Sequence, residues 1–251
     1  MKKTSKLLIL FFIIMISACV KTDQGLPENF VFLSDIDNTI IENVRYYTNE
    51  NFLGKQVAGY KVDKIICTKE AAVALKKAND YFKSQGYKLV VYDGYRPQRA
   101  VDEFRKWGFD AKDIATKSYY YPTLAKKSLF NLGYIAGENS SHSRGSTFDL
   151  TLIKINSNIK PITYSIRTLK NGEKIPFLDD NTVDMGSSFD LFHKVSHHNS
   201  LLIGTPYAEM RDFLKQGLKR FGFKEINEEW WHYTLDAEPY PNTYFDFIGC
   251  C

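Results

Sequence analysis

The sequence predicts an α+β fold in which a sheet is backed by helices, and three observations lead there. Residues 87–92 form an apolar run with Lys-Leu-Val-Val at its centre, bounded by Gly86 and Asp93-Gly94, which reads as a strand. Ala72, Leu75, Ala78 and Phe82 recur at helical spacing before Gly86, and Met210, Leu214, Leu218 and Phe221 do so before Gly222, so two amphipathic helices are available to cover that strand. Thr-Phe-Asp-Leu-Thr-Leu-Ile, from Thr147, is a second β-favouring run.

At 251 residues the chain is long enough to bury a full core as one domain, expected over residues 30–251. Lys2, Lys3 and Lys6 precede an apolar run from Leu7 to Ile16 that is too short for a comfortable membrane span, so residues 1–18 read as an export signal. Ile16-Ser17-Ala18-Cys19 resembles a bacterial lipobox, which implies cleavage before Cys19, lipidation of its sulfur and attachment to a membrane through residues 19–29 as a polar tether. Those three lysines also supply most of the formal charge of +4, and the remaining basic residues are dispersed, so no nucleic-acid partner is expected.

Beyond the tether, Phe30-Val31-Phe32-Leu33 and Asn51-Phe52-Leu53-Gly54 are strand-like or loop-like. Thr68 is a candidate N-cap for the helix that ends near Gly86. After the strand at 87–92, a helix is expected from Gln98 to Trp107, and residues 109–137, rich in Tyr and Lys, read as an irregular loop with one short helix. Tyr119-Tyr120-Tyr121 and, later, Trp230 and Trp231 are candidates either for a pocket wall or for plain packing. A strand over 162–169 followed by Lys170-Asn171-Gly172-Glu173 is a hairpin signal, expected at the rim of the site, and the helix over 206–221 should back the sheet. Cys67, Cys250 and Cys251 leave an odd thiol, and Cys67 bonded to either of the others is one open pairing.

The chemistry concentrates in Ser140-Ser141-His142-Ser143-Arg144-Gly145-Ser146-Thr147-Phe148-Asp149 and in Glu229-Trp230-Trp231-His232. Two imidazoles and one carboxylate make a three-ligand set for one zinc ion with an open position for water, and a further carboxylate is at hand as a base. His142 and Asp149 are seven residues apart with Gly145 between them, which suits a turn entering a strand. Strand alternation puts Glu229 and His232 on opposite faces, so a twist, bulge or strand end must bring them together. Arg96 ends an apolar strand just before Pro97, where it could stabilise an oxyanion or could pair with Asp93. His193 and His197 have chelating spacing but no base in register, and with His198 they read as packing groups.

S-x-H-x-x-G-x-x-x-D followed by E-x-W-H resembles the signature of the zinc D-alanyl-D-alanine peptidases, which share the hedgehog-type zinc fold. Asp93-Gly94-Tyr95-Arg96-Pro97-Gln98-Arg99, Ser143-Arg144-Gly145-Ser146 and Asp184-Met185-Gly186-Ser187-Ser188-Phe189-Asp190 most resemble the D-alanyl-D-alanine dipeptidases, over roughly residues 30–240. The resemblance implies a central antiparallel sheet carrying the zinc site between flanking helices. It also implies one zinc on His142, Asp149 and His232, Glu229 as general base and Arg96 on the oxyanion. Asp184, with Asp190 as second choice, and Ser140 would then hold the dipeptide. The expected activity is hydrolysis of free D-alanyl-D-alanine by an exported, membrane-anchored enzyme. A D,D-carboxypeptidase acting on peptidoglycan stems and a non-catalytic zinc or wall-binding lipoprotein are the two rivals; intact Glu229 and Arg96 speak against the second.

Overall fold

The computed structural model describes residues 25–249, so the signal-like segment, Cys19 and the pair Cys250 and Cys251 lie outside the described residues. In chain order the elements begin with β1 (Phe30–Phe32), α1 (Leu33–Ile36), β2 (Ile41–Glu42), β3 (Ile66–Thr68), α2 (Lys69–Ser84), β4 (Tyr87–Asp93) and α3 (Gln98–Phe109). They continue with α4 (Lys117–Tyr120), α5 (Lys126–Asn131), β5 (Thr147–Lys154), β6 (Thr163–Thr168), β7 (Lys174–Asp179), α6 (Thr205–Lys219), β8 (Phe223–Glu225) and β9 (His232–Leu235). The main sheet has the order β2-β4-β5-β9-β8; every neighbouring pair in it is antiparallel except the parallel β2 and β4.

Leu89, Val90, Val91 and Tyr92 are all buried, because β4 is covered on both faces and therefore reads as a continuous apolar run. Helix α2 packs on β4, and α6 packs on β8 and on α2. Phe82 of α2 lies so close to Gly217 of α6 that a Cβ there would sit 2.3 Å from the ring, which is why a glycine interrupts an otherwise good helix. Leu75, Phe82, Leu214 and Leu218 are fully buried in this core; removing each from water contributes roughly 1.5–3 kcal/mol. Tyr46, Phe104, Trp107 and Phe192 surround Phe52 in a layer of ring contacts.

Three local expectations change, and one open choice closes. Thr68 precedes α2 without capping it, since its hydroxyl is engaged with that of Ser146 at 2.7 Å. The 109–137 stretch holds two short helices rather than one; Lys126 fixes the second by donating to the carbonyls of Trp107 and Asp110. Of the two readings left open for Trp230 and Trp231, packing holds: both are buried and neither lines the metal cavity, with the Trp230 indole N–H bonded to Ser187. The hairpin β6–β7 forms as expected, but it packs against α4 and the 184–203 segment instead of rimming the site. Cys67 is buried and has no disulfide partner among the described residues, and burial pushes its thiol far above the ordinary range. Among the described residues no helix is long and apolar enough to cross a membrane.

Candidate metal centre and active-site cavity

Sheet register builds the centre. Asp149 of β5 pairs across to His232 of β9 on one side and to Asp93 of β4 on the other, so three functional side chains stand abreast on adjacent strands. The β4 ladder slips between Val91 and Asp93, which re-aims the end of that strand. His142 arrives from outside the sheet on a 3-10 turn over Ser141–Arg144, whose first free amide, that of His142, donates to Ser140 Oγ at 3.3 Å. Gly145 closes the turn at φ +85°, where a Cβ would lie 2.3 Å from the Phe30 ring. Any other residue there would be both strained and obstructed.

His142 Nε2 and His232 Nδ1 each lie 3.2 Å from Asp149 Oδ1, and 3.3 Å from one another. His142 Nδ1 donates to the Gly94 carbonyl at 2.8 Å, which leaves the Nε2 lone pair facing the cluster. Asp149 Oδ1 is buried and accepts no hydrogen bond, although its partner Oδ2 receives Arg96 Nη2 at 3.2 Å. Three converging lone-pair atoms, one on an orphaned buried carboxylate oxygen, are the donor set a zinc ion takes, so the residues fit that metal. Burial works to raise the Asp149 carboxyl, yet the two imidazoles hold it well below the usual carboxylate range; burial pushes His232 down and favours the neutral, ligating form.

Glu229 reaches the same centre because β9 begins only at His232. The residues before it form a turn in which the His232 amide donates to the Glu229 carbonyl at 3.3 Å, so strand alternation does not apply, and Glu229 Oε2 lies 3.5 Å from His232 Nδ1. Burial, then the charges of Asp149 and Asp190, push the Glu229 carboxyl well above its ordinary range, giving it a high affinity for a proton.

Arg96 pairs with Asp93 and also lines the cavity. Asp93 Oδ2 accepts from its Nε at 2.9 Å and lies 2.8 Å from its Nη2, and the guanidinium also sits over the rings of Tyr46 and Phe104 in the cavity wall. Asp93 itself, fully buried, accepts from Tyr60 Oη at 2.7 Å and so holds the arginine in place, while His142 Nδ1, 3.5 Å away, is bonded to the Gly94 carbonyl instead. Its position at the end of β4, three residues before Arg96, was the available signal for that pairing.

Arg96, His142, Asp149, Glu229 and His232 all line one cavity of about 210 Å³, as does Ser140. Ser140 Oγ already serves the His142 amide, and its hydroxyl proton is the part that could reach a ligand. Asp184 does not line this cavity. It is spent on a two-pronged ion pair with Arg167 and on the Gly186 amide, and it borders a separate narrow void of about 30 Å³. The carboxylate that does enter is Asp190, 3 % exposed, which accepts from Tyr46 Oη at 3.0 Å. His193, His197 and His198 are engaged elsewhere, with Glu173, Tyr134 and Tyr233 respectively.

The chain is similar in sequence to several known proteins. The family model described as D-ala-D-ala dipeptidase matches residues 27–160 and 176–249. A D-alanyl-D-alanine dipeptidase of Enterococcus faecalis is 40% identical over 222 residues, covering 88% of this chain and 98% of that protein. One from Streptomyces coelicolor is 37% identical over 219 residues, covering 87% and 97%. Among solved structures, a zinc complex of the vancomycin-resistance D,D-pentapeptidase VanY overlaps 71% of this chain and 77% of that one, at 15% identity and a TM-score of 0.38.

Proposed function

The chain belongs to the D-ala-D-ala dipeptidase family, and from that membership we propose how it works: as a zinc metallopeptidase, it hydrolyses D-alanyl-D-alanine to two molecules of D-alanine in the cavity just described. The observation that carries the reading is the convergence of His142, Asp149 and His232 on a space bordered by Glu229 and Arg96. When bound there, zinc supplies Lewis acidity toward the scissile carbonyl and acidifies water at neutral pH. Glu229 removes the proton of the attacking water and returns it to the departing amine, a task suited to a carboxylate of raised proton affinity. Arg96, held by Asp93, presents guanidinium N–H groups to the oxygen that gains charge.

Asp190 takes the substrate ammonium, and the Ser140 hydroxyl contacts the same dipeptide. Burial pushes the Asp190 carboxyl well above the usual range when it stands alone, and an arriving ammonium supplies the charge that ionises it. A cavity of about 210 Å³ is smaller than the roughly 300–1,000 Å³ typical of pockets for larger ligands, which favours a free dipeptide over a stem pentapeptide. The basic residues and apolar run of residues 1–16 and the lipobox-like Ile16-Ser17-Ala18-Cys19 support our reading of an exported enzyme, cleaved before Cys19, lipidated there and anchored to a membrane, with residues 19–29 as tether and 30–251 as catalytic domain.

The test is release of D-alanine by zinc-loaded protein, residues 20–251, from D-Ala-D-Ala and separately from a stem pentapeptide. Turnover of the dipeptide alone, abolished by Glu229→Ala, is expected. Turnover of the pentapeptide would make the enzyme a carboxypeptidase, and inactivity on both with zinc retained would leave a binding protein.

A further inference from the structure

Residues 161–175 fall between the two stretches matched by the family model, and they contain β6, the Asn171-Gly172 turn and the start of β7. None of these residues lines the metal cavity. The hairpin is nevertheless tied at several points to the segment that carries Asp190. Arg167 grips Asp184 with both guanidinium nitrogens while its plane lies over the rings of Phe177 and Tyr207, at 3.7 and 4.9 Å. The Leu178 amide donates to Ser188 Oγ at 2.7 Å, two residues before Asp190. Glu173 Oε1 meets His193 Nε2 at 3.0 Å, three residues after it. Ile175, fully buried, packs in one apolar cluster with Leu169, Ile203, Val195 and Leu191, the immediate neighbour of Asp190.

Asp190 needs such support. Its φ is +59°, a left-handed conformation in a residue with a Cβ, and its carboxyl is buried with Tyr46 Oη as its hydrogen-bond donor. A strained conformation of this kind persists only where the surroundings over-determine it. Both flanks of the strained residue are fastened to the same hairpin, on the Ser188 side by a hydrogen bond and on the Leu191 side by apolar packing.

We propose that the hairpin β6–β7, whose first strand and turn fall between the two matched stretches, is a positioning device for Asp190, and so sets how tightly the enzyme holds the free amine of its dipeptide. The inference rests on the dipeptidase reading of the cavity. Because Asp190 grips the ammonium equally in ground and transition states, loosening it raises KM and leaves kcat nearly untouched.

The experiment compares full-length mature protein with its Arg167→Met and Ile175→Ala variants on D-Ala-D-Ala, alone and in an Asp190→Asn background, with zinc content and melting temperature measured alongside. Wild-type turnover of the dipeptide tests the reading itself; the hairpin is judged only by variant-to-wild-type ratios. Each hairpin variant should raise KM by roughly tenfold, the effect of losing a charge-assisted contact, with kcat within about twofold and one zinc retained. In the Asp190→Asn background the same substitutions should add nothing, because the group they act through is gone. Arg167→Lys, which keeps the charge, should recover part of the KM. An unchanged KM in both variants, or an increase that persists in the Asp190→Asn background, would overturn the proposal, as would a fall in kcat accompanied by zinc loss.

Discussion

Replacing Asp93 by Asn should disable the enzyme without touching a metal ligand. Asp93 is fully buried; its Oδ2 receives Arg96 Nε at 2.9 Å, and its Oδ1 accepts from Tyr60 Oη at 2.7 Å and from the Gly94 amide at 2.9 Å. Asparagine can preserve the Oδ1 bonds, but it turns an amide N–H₂ toward the guanidinium where a carboxylate oxygen stood. Removing one member of a buried ion pair costs about 3–5 kcal/mol, and because Arg96 keeps Asp149 Oδ2 at 3.2 Å the lower end applies. For a domain of this size a loss of about 3 kcal/mol lowers the melting temperature by roughly 6–12 °C. The displaced arginine no longer meets the developing oxyanion, which should reduce kcat by roughly 10²–10³. The assay is D-alanine release against dipeptide concentration, beside a thermal melt, for Asp93→Asn, Arg96→Ala and the double variant. The double variant should be no slower than Arg96→Ala alone, since both substitutions disable one group. A near wild-type kcat in Asp93→Asn, or losses that multiply in the double variant, would refute the positioning argument.

Two further outcomes follow from the same geometry. Asp190→Asn should raise KM for D-Ala-D-Ala by roughly a hundredfold with a smaller change in kcat, because the ammonium loses its charged partner; equal KM values for the two proteins in a saturation assay would remove Asp190 from the site. Burial pushes the His198 imidazole down to about 4, so the native state binds fewer protons than the unfolded chain at acidic pH. The stability this histidine protects is complete above the ordinary value of 6.5 and is lost as pH falls toward 4, an amount on the order of 3 kcal/mol. Chemical denaturation of the metal-free protein from pH 7 to 4 should therefore show a shallower decline for His198→Gln than for the wild type, and parallel curves would contradict it.

Much of the centre was legible because it is written in local constraints. A glycine between His142 and Asp149 permits the turn that folds one ligand back over the strand carrying the other, and the Glu229–His232 spacing demanded the strand end that the structure supplies at His232. The choice between Asp184 and Asp190 was not local. Both acids flank the same Met-Gly-Ser-Ser-Phe run, and what separates them is Arg167, which comes from the hairpin β6–β7 and consumes Asp184. The hairpin itself was visible in Asn171-Gly172, but its docking surface depends on Leu191, Val195 and Ile203, whose positions no turn signal encodes. Trp230 and Trp231 show the same limit: an aromatic beside a functional residue is equally compatible with core and cavity, and here the sheet buries both. Helices α4 and α5 are too short to stand alone and exist through tertiary anchors such as the Lys126 ammonium.

Hydrolysis of D-alanyl-D-alanine by this chain should depend on one zinc ion at His142, Asp149 and His232. Its most direct test is a titration of metal-free protein with zinc while D-alanine release from D-Ala-D-Ala is followed. The rate should rise in proportion to bound zinc and level off at one ion per chain, with no rise in an Asp149→Ala variant. Full activity before zinc is added, or a titration that leaves the dipeptide intact at one bound ion per chain, would contradict it.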